Sequence, residues 1–276
     1  MPVICNGRQA PNHEYATMTN DLHEANRRQW NSASDWWQTR TDERGIWKQC
    51  HRDPSLVLTP SELELLNDAR GKSACVLGSG DNEVVFALAG MGANVTSVDI
   101  SEKQLERAEM RAEILGLAVT FLRADISDLA ELEDNRFDYV YTGGHISVWL
   151  SDIEKYYSEA VRILKPDGLF IVNDYHPFRR LWKDGSKQFV IEHPYFSRGP
   201  FEYETEKGFP QFEFHWTVAD HVQAMLSAGC DLLKIEETGD GDDDWNETEL
   251  KGLPQYMLLV GRKNASNICQ SSSCSG

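Results

Sequence analysis

The chain has 276 residues, 41% hydrophobic and 10% aromatic, which suits one large α/β domain with decorations or two small domains. A formal net charge of −17, with no basic run longer than a pair such as Arg27-Arg28 or Arg179-Arg180, argues against a nucleic-acid partner. No stretch approaches the roughly 18–20 apolar residues of a membrane helix and no apolar secretory segment opens the chain, so a cytoplasmic protein without membrane attachment is expected.

Residues 1–19 lack periodicity and are expected to be loose. Over residues 20–40, Leu22, Trp30, Ala33 and Trp37 recur at helical spacing, which predicts a helix. Thr59-Pro60-Ser61-Glu62 reads as a capping box with proline at the first helical position, opening a helix over 62–69 that Gly71 closes. From there strands and helices alternate. Strands are predicted at 73–77, 94–100, 119–122, 137–141 and 169–173. The helices between them are expected at 83–89, from Ser101 (with Gln104 as a second capping box) to Gly116, and at 153–164. Such alternation implies right-handed βαβ units and a parallel sheet covered on both faces.

Residues 174–215 break this rhythm with aromatic, β-rich pieces between Gly-Pro and Gly-Phe-Pro turns, and read as an inserted lid or wall. A last helix over 218–228 is followed by strands at 232–236 and 256–261, whose acidic connection is too irregular for a crossover helix. That pair is expected to form an antiparallel hairpin at the sheet edge. The organisation expected is a tail and helical cap over 1–69, a core domain over 70–263 that carries the insertion, and a disordered tail over 264–276.

In an open α/β sheet, ligands bind beyond the carboxyl ends of the strands. Gly78 and Gly80 follow the first strand and let a ligand approach the backbone, and the next helix offers its free N–H groups. Asp99 ends the second strand, where a carboxylate accepts hydrogen bonds from both ribose hydroxyls and repels a 2′-phosphate. Asp125, with Ile126 beside it, ends the third and is placed to meet the exocyclic amine of an adenine.

The runs Val76-Leu77-Gly78-Ser79-Gly80, Val98-Asp99-Ile100-Ser101 and Arg123-Ala124-Asp125-Ile126 resemble the class I S-adenosylmethionine-dependent methyltransferases. Phe137-Asp138-Tyr139-Val140 and Leu164-Lys165-Pro166-Asp167-Gly168 match that family's fourth strand and the turn before its fifth. The resemblance implies a Rossmann-like, doubly wound seven-stranded sheet with an antiparallel last strand, and S-adenosyl-L-methionine as cofactor. It further implies a cofactor site made of Gly78, Ser79, Gly80 and Asn82, of Asp99 with Ile100, and of Asp125 with Ile126. Thr142 and Gly143 would line its methionine end. Two departures stand out: Val76 replaces the usual acidic residue and Asn82 the third glycine, so that Asp81 or Asn82 would have to steady the methionine part. The family's Asn-Pro-Pro-Tyr-type motif is absent, which speaks against nucleic-acid bases as substrates.

The expected activity is therefore methyl transfer to a small molecule, with the acceptor atom open. A methyltransferase-fold protein catalysing another reaction is the alternative, followed by a nicotinamide-dependent oxidoreductase, whose third fingerprint glycine is replaced by Glu83. His145 and His176 follow the fourth and fifth strands, and either is a candidate general base. Trp37, Tyr175 and His176 are candidate substrate contacts, although the tryptophans at 30, 36, 37 and 47 also suit core packing. No metal site is expected: the six cysteines show no C-x-x-C, and Asp240-Gly241-Asp242-Asp243-Asp244 lacks the glycine a calcium loop needs at its sixth position. Exposed aromatics of the insertion suit either a substrate or a second subunit, which leaves a homo-oligomer open.

Overall fold

The computed structural model describes residues 12–80, 83–182, 190–205, 207–239 and 249–265. Seven strands form one sheet: β1 (Ser73–Leu77), β2 (Asn94–Asp99), β3 (Val119–Arg123), β4 (Phe137–Gly143), β5 (Leu164–Tyr175), β8 (Cys230–Thr238) and β9 (Tyr256–Lys263). Their order is β3-β2-β1-β4-β5-β9-β8. The order reverses between β1 and β4, which opens a crevice at the carboxyl ends of these two strands. β9 runs antiparallel to both β5 and β8, as the hairpin reading required. A separate two-stranded ribbon, β6 (Phe201–Glu204) with β7 (Pro210–Glu213), lies in the insertion.

Side-chain alternation along the strands divides the core in two. Cys75, Leu77, Val140, Phe170 and Val172 face α5 (Ile153–Ile163) and α6 (Val218–Ser227) in one apolar cluster. Ala74, Val76, Tyr139, Tyr141 and Ile171 face the other cluster, which holds α3 (Glu83–Gly90) and part of α4 (Glu102–Leu115). The buried, free Cys75 and Cys230 behave as small hydrophobes.

Helix α2 (Pro60–Leu65) carries the capping box expected at Thr59 and Glu62. The box at Ser101 forms only in half. Ser101 Oγ accepts from Gln104 N, but the Ser101 N–H is taken by Asp99 Oδ1 at 2.7 Å, so the Gln104 amide instead accepts from Gln38 Nε2 at 3.1 Å. Strand β5 starts at Leu164, ahead of the expected 169, because Leu164 pairs with Phe137 and a register shift absorbs the Pro166-Asp167-Gly168 turn.

The largest departure is at the N-terminus. Helix α1 spans Asn12–Arg44, so residues 12–19, expected to be loose, are helical. It ends at Gly45, whose φ of 66° is open to glycine at little cost. The face that α1 buries is polar: His23, Asn26, Ser34, Gln38 and Thr41. Asn26 pairs with both backbone groups of Phe212, at 2.9 and 2.8 Å, and Asn31 accepts from Ser101 Oγ at 2.7 Å. These bonds tie α1 to the inserted ribbon on one side and to the start of α4 on the other. No described helix is long and apolar enough to cross a membrane.

Candidate active site

A cavity of about 610 Å³ lies between the carboxyl ends of the central strands and the underside of α1. Of the residues expected to hold a cofactor, Gly78, Ser79, Gly80, Asp99, Ile100, Asp125, Ile126 and Gly143 line it. Asn82 and Asp81 lie outside the described residues, as do the 240–244 loop and the cysteines of the tail.

The first loop is pinned from below. Ser79 Oγ meets Ser97 Oγ at 2.6 Å and donates to Val98 O at 3.1 Å, so Ser79 borders the cavity with its backbone while its hydroxyl points into the sheet. Gly78 has a φ of 60°, and a Cβ there would come within 2.7 Å of Ile146 Cδ1. The left-handed backbone favours glycine, and any side chain there would also have to displace Ile146. Asp99 Oδ2 accepts from Gly80 N at 2.6 Å while Oδ1 accepts from Ser101 N, which fixes the plane of the carboxylate at the cavity floor.

Asp125 is held in a similar way. Its Oδ1 accepts from Ser127 N at 2.8 Å and its Oδ2 meets His23 Nδ1 at 2.5 Å. Burial would push this carboxyl up; the His23 hydrogen bond and the Ser127 N–H outweigh it and hold the group below its ordinary value. His23 had no place in the sequence reading. The available signal was its spacing, since residues 23, 30 and 37 share one helical face and all three line the cavity.

Thr142 does not reach the cavity, for its Oγ1 donates to Leu77 O at 2.8 Å and the residue is buried on the opposite face of β4. Tyr141 and Asn173 line the cavity instead. Both are aimed by Glu62, which is fully buried: Oε1 accepts from Tyr141 Oη at 2.9 Å and from Asn173 Nδ2 at 3.0 Å, and Oε2 completes the cap of α2. Burial, and then the Glu62 charge, raise the Tyr141 phenol well above its ordinary value, so it stays a donor. Glu83 lines the same region, 3.3 Å from Arg44 Nη2.

Beyond Gly143 the cavity becomes aromatic. Trp30 meets Trp149 edge-on at 5.3 Å and lies tilted against Trp37 at 6.0 Å, and Tyr175 packs against Tyr256 at 5.3 Å. The tryptophans divide by role: Trp30 and Trp37 border the cavity, Trp47 is core and Trp36 is exposed. His145 lies at this end with a φ of 78°, rare for a residue with a Cβ, and its ring packs at a tilt against Tyr175, with centroids 4.6 Å apart.

Arg180 Nη2 faces His145 Nδ1 at 3.4 Å. A guanidinium only donates, so Nδ1 accepts and the neutral ring carries its proton on Nε2. Nε2 is shielded from solvent and has no hydrogen-bond partner among the described residues. Burial, followed by the charges of Arg180 and Arg179, pulls the imidazole well below 6.5. The neutral ring thus offers a donor at Nε2, and a general base at that atom requires the other tautomer.

His176 is not brought to the cavity. Tyr175 and His176 point to opposite sides of the chain, and His176 is buried with Nε2 2.7 Å from Glu237 Oε1 and Nδ1 accepting from Phe178 N. Both nitrogens are used to cap the 3₁₀ turn Pro177–Arg180 and to hold β8, which leaves none for a substrate. No group of three or more His, Cys, Asp or Glu residues among the described ones is arranged to hold a metal ion.

A family model described as a methyltransferase domain matches residues 76–172. The chain is 33% identical over 108 residues to the uncharacterized methyltransferase YbaJ of Bacillus subtilis, covering 39% of this chain and 42% of that one. It is 27% identical over 210 residues to the methyltransferase phqN of Penicillium fellutanum, covering 70% and 59%. The match thus spans roughly two fifths to three fifths of these relatives' length. Among solved structures, an S-adenosylmethionine-dependent methyltransferase of Mesorhizobium loti shares the fold with a TM-score of 0.59 at 24% identity, over 74% of this chain and 99% of that one. With the glycine loop, Asp99 and Asp125 on successive strand ends of this sheet, residues 76–172 form a methyltransferase domain of the class I, S-adenosylmethionine-dependent kind.

Proposed function

We propose that the protein transfers the methyl group of S-adenosylmethionine to a small molecule held between α1 and the carboxyl ends of β4 and β5. The observation that carries this reading is the division of one cavity: a polar half built on Gly78, Gly80, Asp99 and Asp125, and an aromatic half built on Trp30, Trp37, Trp149 and Tyr175. In the polar half, Asp99 takes the ribose hydroxyls, Asp125 the adenine amine, and Ile100 and Ile126 the faces of the base. Val76 is buried in β1 and supplies no charge, so Glu83 at the start of α3 and the Asn173 amide oxygen are the groups proposed for the methionine ammonium.

The sulfonium supplies an electrophilic methyl carbon when the cofactor is bound. The chain's own task is to hold a nucleophile in line with it, and positioning alone is worth about 7–11 kcal/mol of barrier. Gly144, where an added Cβ would meet nothing within 4 Å, leaves room at the junction of the two halves. Trp37 and Tyr175 form the walls of the acceptor subsite, and His145 contributes its Nε2–H there as a donor to an acceptor oxygen. An acidic protein with an aromatic subsite inside a cavity suits a small acceptor and not a nucleic acid. Incubation with methyl-labelled cofactor and a metabolite extract tests the reading: label must appear in a small organic product as S-adenosylhomocysteine accumulates. Bound cofactor recovered intact from every mixture would refute it.

A further inference from the structure

Three elements that are distant in sequence meet at one imidazole. His23 of α1 is buried, its Nδ1 lies 2.5 Å from Asp125 Oδ2, and its Nε2 lies 3.2 Å from Ser151 N and 2.9 Å from Ser151 Oγ. A backbone N–H only donates, so Nε2 accepts, and the neutral ring keeps its proton on Nδ1 and donates it to Asp125. With Ser127 N on Oδ1, both carboxylate oxygens are fixed. Asp125 sits on the loop after β3 and Ser151 just ahead of α5, so a helix outside the sheet sets the orientation of a core carboxylate.

We propose that His23 is a positioning residue of the cofactor site: it aims Asp125 at the exocyclic amine of adenine and makes the N-terminal helix part of base recognition. This rests on the S-adenosylmethionine reading of the cavity. Without the Nδ1–H, the carboxylate keeps only its bond to Ser127 and is free to rotate about its Cβ–Cγ bond, so the acceptor lone pair no longer meets the amine. The coupling runs both ways. A ligand that engages Asp125 through a donated N–H strengthens the seat of α1, and a ligand that presents an oxygen there does not. α1 is also held to the inserted ribbon by the pairing of Asn26 with the Phe212 backbone.

The test is calorimetry on the full chain with S-adenosylhomocysteine and with S-inosylhomocysteine, in which a carbonyl oxygen replaces the amine. The wild type is expected to prefer the adenine ligand. In His23→Gln the amide nitrogen falls at the Nε2 position and Asp125 loses its donor; in His23→Asn it falls at the Nδ1 position and the donor remains. The Gln variant should lose about tenfold in affinity for the adenine ligand and little for the inosine ligand, and the Asn variant should stay within about threefold of wild type. An adenine preference equal in wild type and His23→Gln overturns the proposal, since a purely structural histidine would shift both ligands together. Should the Gln variant fail to fold, hydrogen exchange on the wild type decides: α1 amides around His23 must be protected by the adenine ligand and not by the inosine ligand, and equal protection overturns the proposal. A wild type that binds no S-adenosylhomocysteine removes the cofactor assignment itself, before any variant is made.

Discussion

Replacing Asp99 by alanine perturbs two properties that can be measured separately. In the folded protein the carboxylate accepts from Gly80 N and Ser101 N, at 2.6 and 2.7 Å. The Ser101 N–H is buried at the start of α4, and an unsatisfied buried donor costs about 1–3 kcal/mol. Gly80 is only partly buried and water replaces its partner at little cost. Each kcal/mol lowers the melting temperature of a chain of this size by about 2–4 °C, so Asp99→Ala should melt about 2–12 °C lower. The same change removes the two charge-assisted hydrogen bonds proposed to the ribose, each worth about 1.5–3 kcal/mol, and should weaken S-adenosylhomocysteine binding by on the order of a hundredfold or more. Differential scanning fluorimetry and isothermal calorimetry at a temperature well below the transition read the two effects. A variant that melts lower but binds the ligand as tightly as the wild type would leave the loop geometry intact and refute the ribose assignment.

Acid should destabilise the protein from about pH 6.5 downward. Burial lowers the imidazoles of His145, His176 and His215, and takes His221 to about 4. The unfolded chain therefore binds protons that the folded chain refuses, so stability is full above about 6.5 and is lost as pH falls toward these depressed values; urea unfolding that is flat from pH 7 to 5 would contradict this. His145→Phe, which keeps the ring contacts with Tyr175 and Trp149, should lower turnover without changing cofactor affinity. The wild-type rate should show no ionisation near 6.5, and a clear step there would restore the base role to histidine. His176→Ala should lower the melting temperature and leave the turnover of the folded fraction nearly unchanged; a selective loss of turnover would return it to the site. Deleting residues 1–40 keeps Asp42, the carboxylate partner of the buried Arg111, so the sheet should remain folded while activity is lost. Outright unfolding would make α1 part of the core.

What could be read in the sequence was whatever is local. Gly78 and Gly80, Asp99 and Asp125 each follow a short apolar strand, and the fold places such positions along one edge, so their convergence followed from the strand order. The rest depends on pairings that no local pattern carries. His23 meets Asp125 across 102 residues, and the face through which α1 docks is polar, so a search for apolar periodicity registered Trp30 and Trp37 and passed over the histidine between turns. Glu62 was legible as the cap of α2 but not as the group that aims Tyr141 and Asn173. Thr142 follows from the family resemblance and His176 from its place after the fifth strand, and neither signal says which way a side chain points. The alternation of side chains then decided their direction, and it turned both away from the cavity.

The most direct test of the central claim is a parallel titration of the full-length chain with S-adenosylhomocysteine and with NADH. Saturable binding of S-adenosylhomocysteine at one site per chain, competed by S-adenosylmethionine, is expected, with no binding of NADH, because Glu83 stands where the dinucleotide fingerprint requires glycine. Binding of NADH, or no heat with S-adenosylhomocysteine at any accessible concentration, would contradict it.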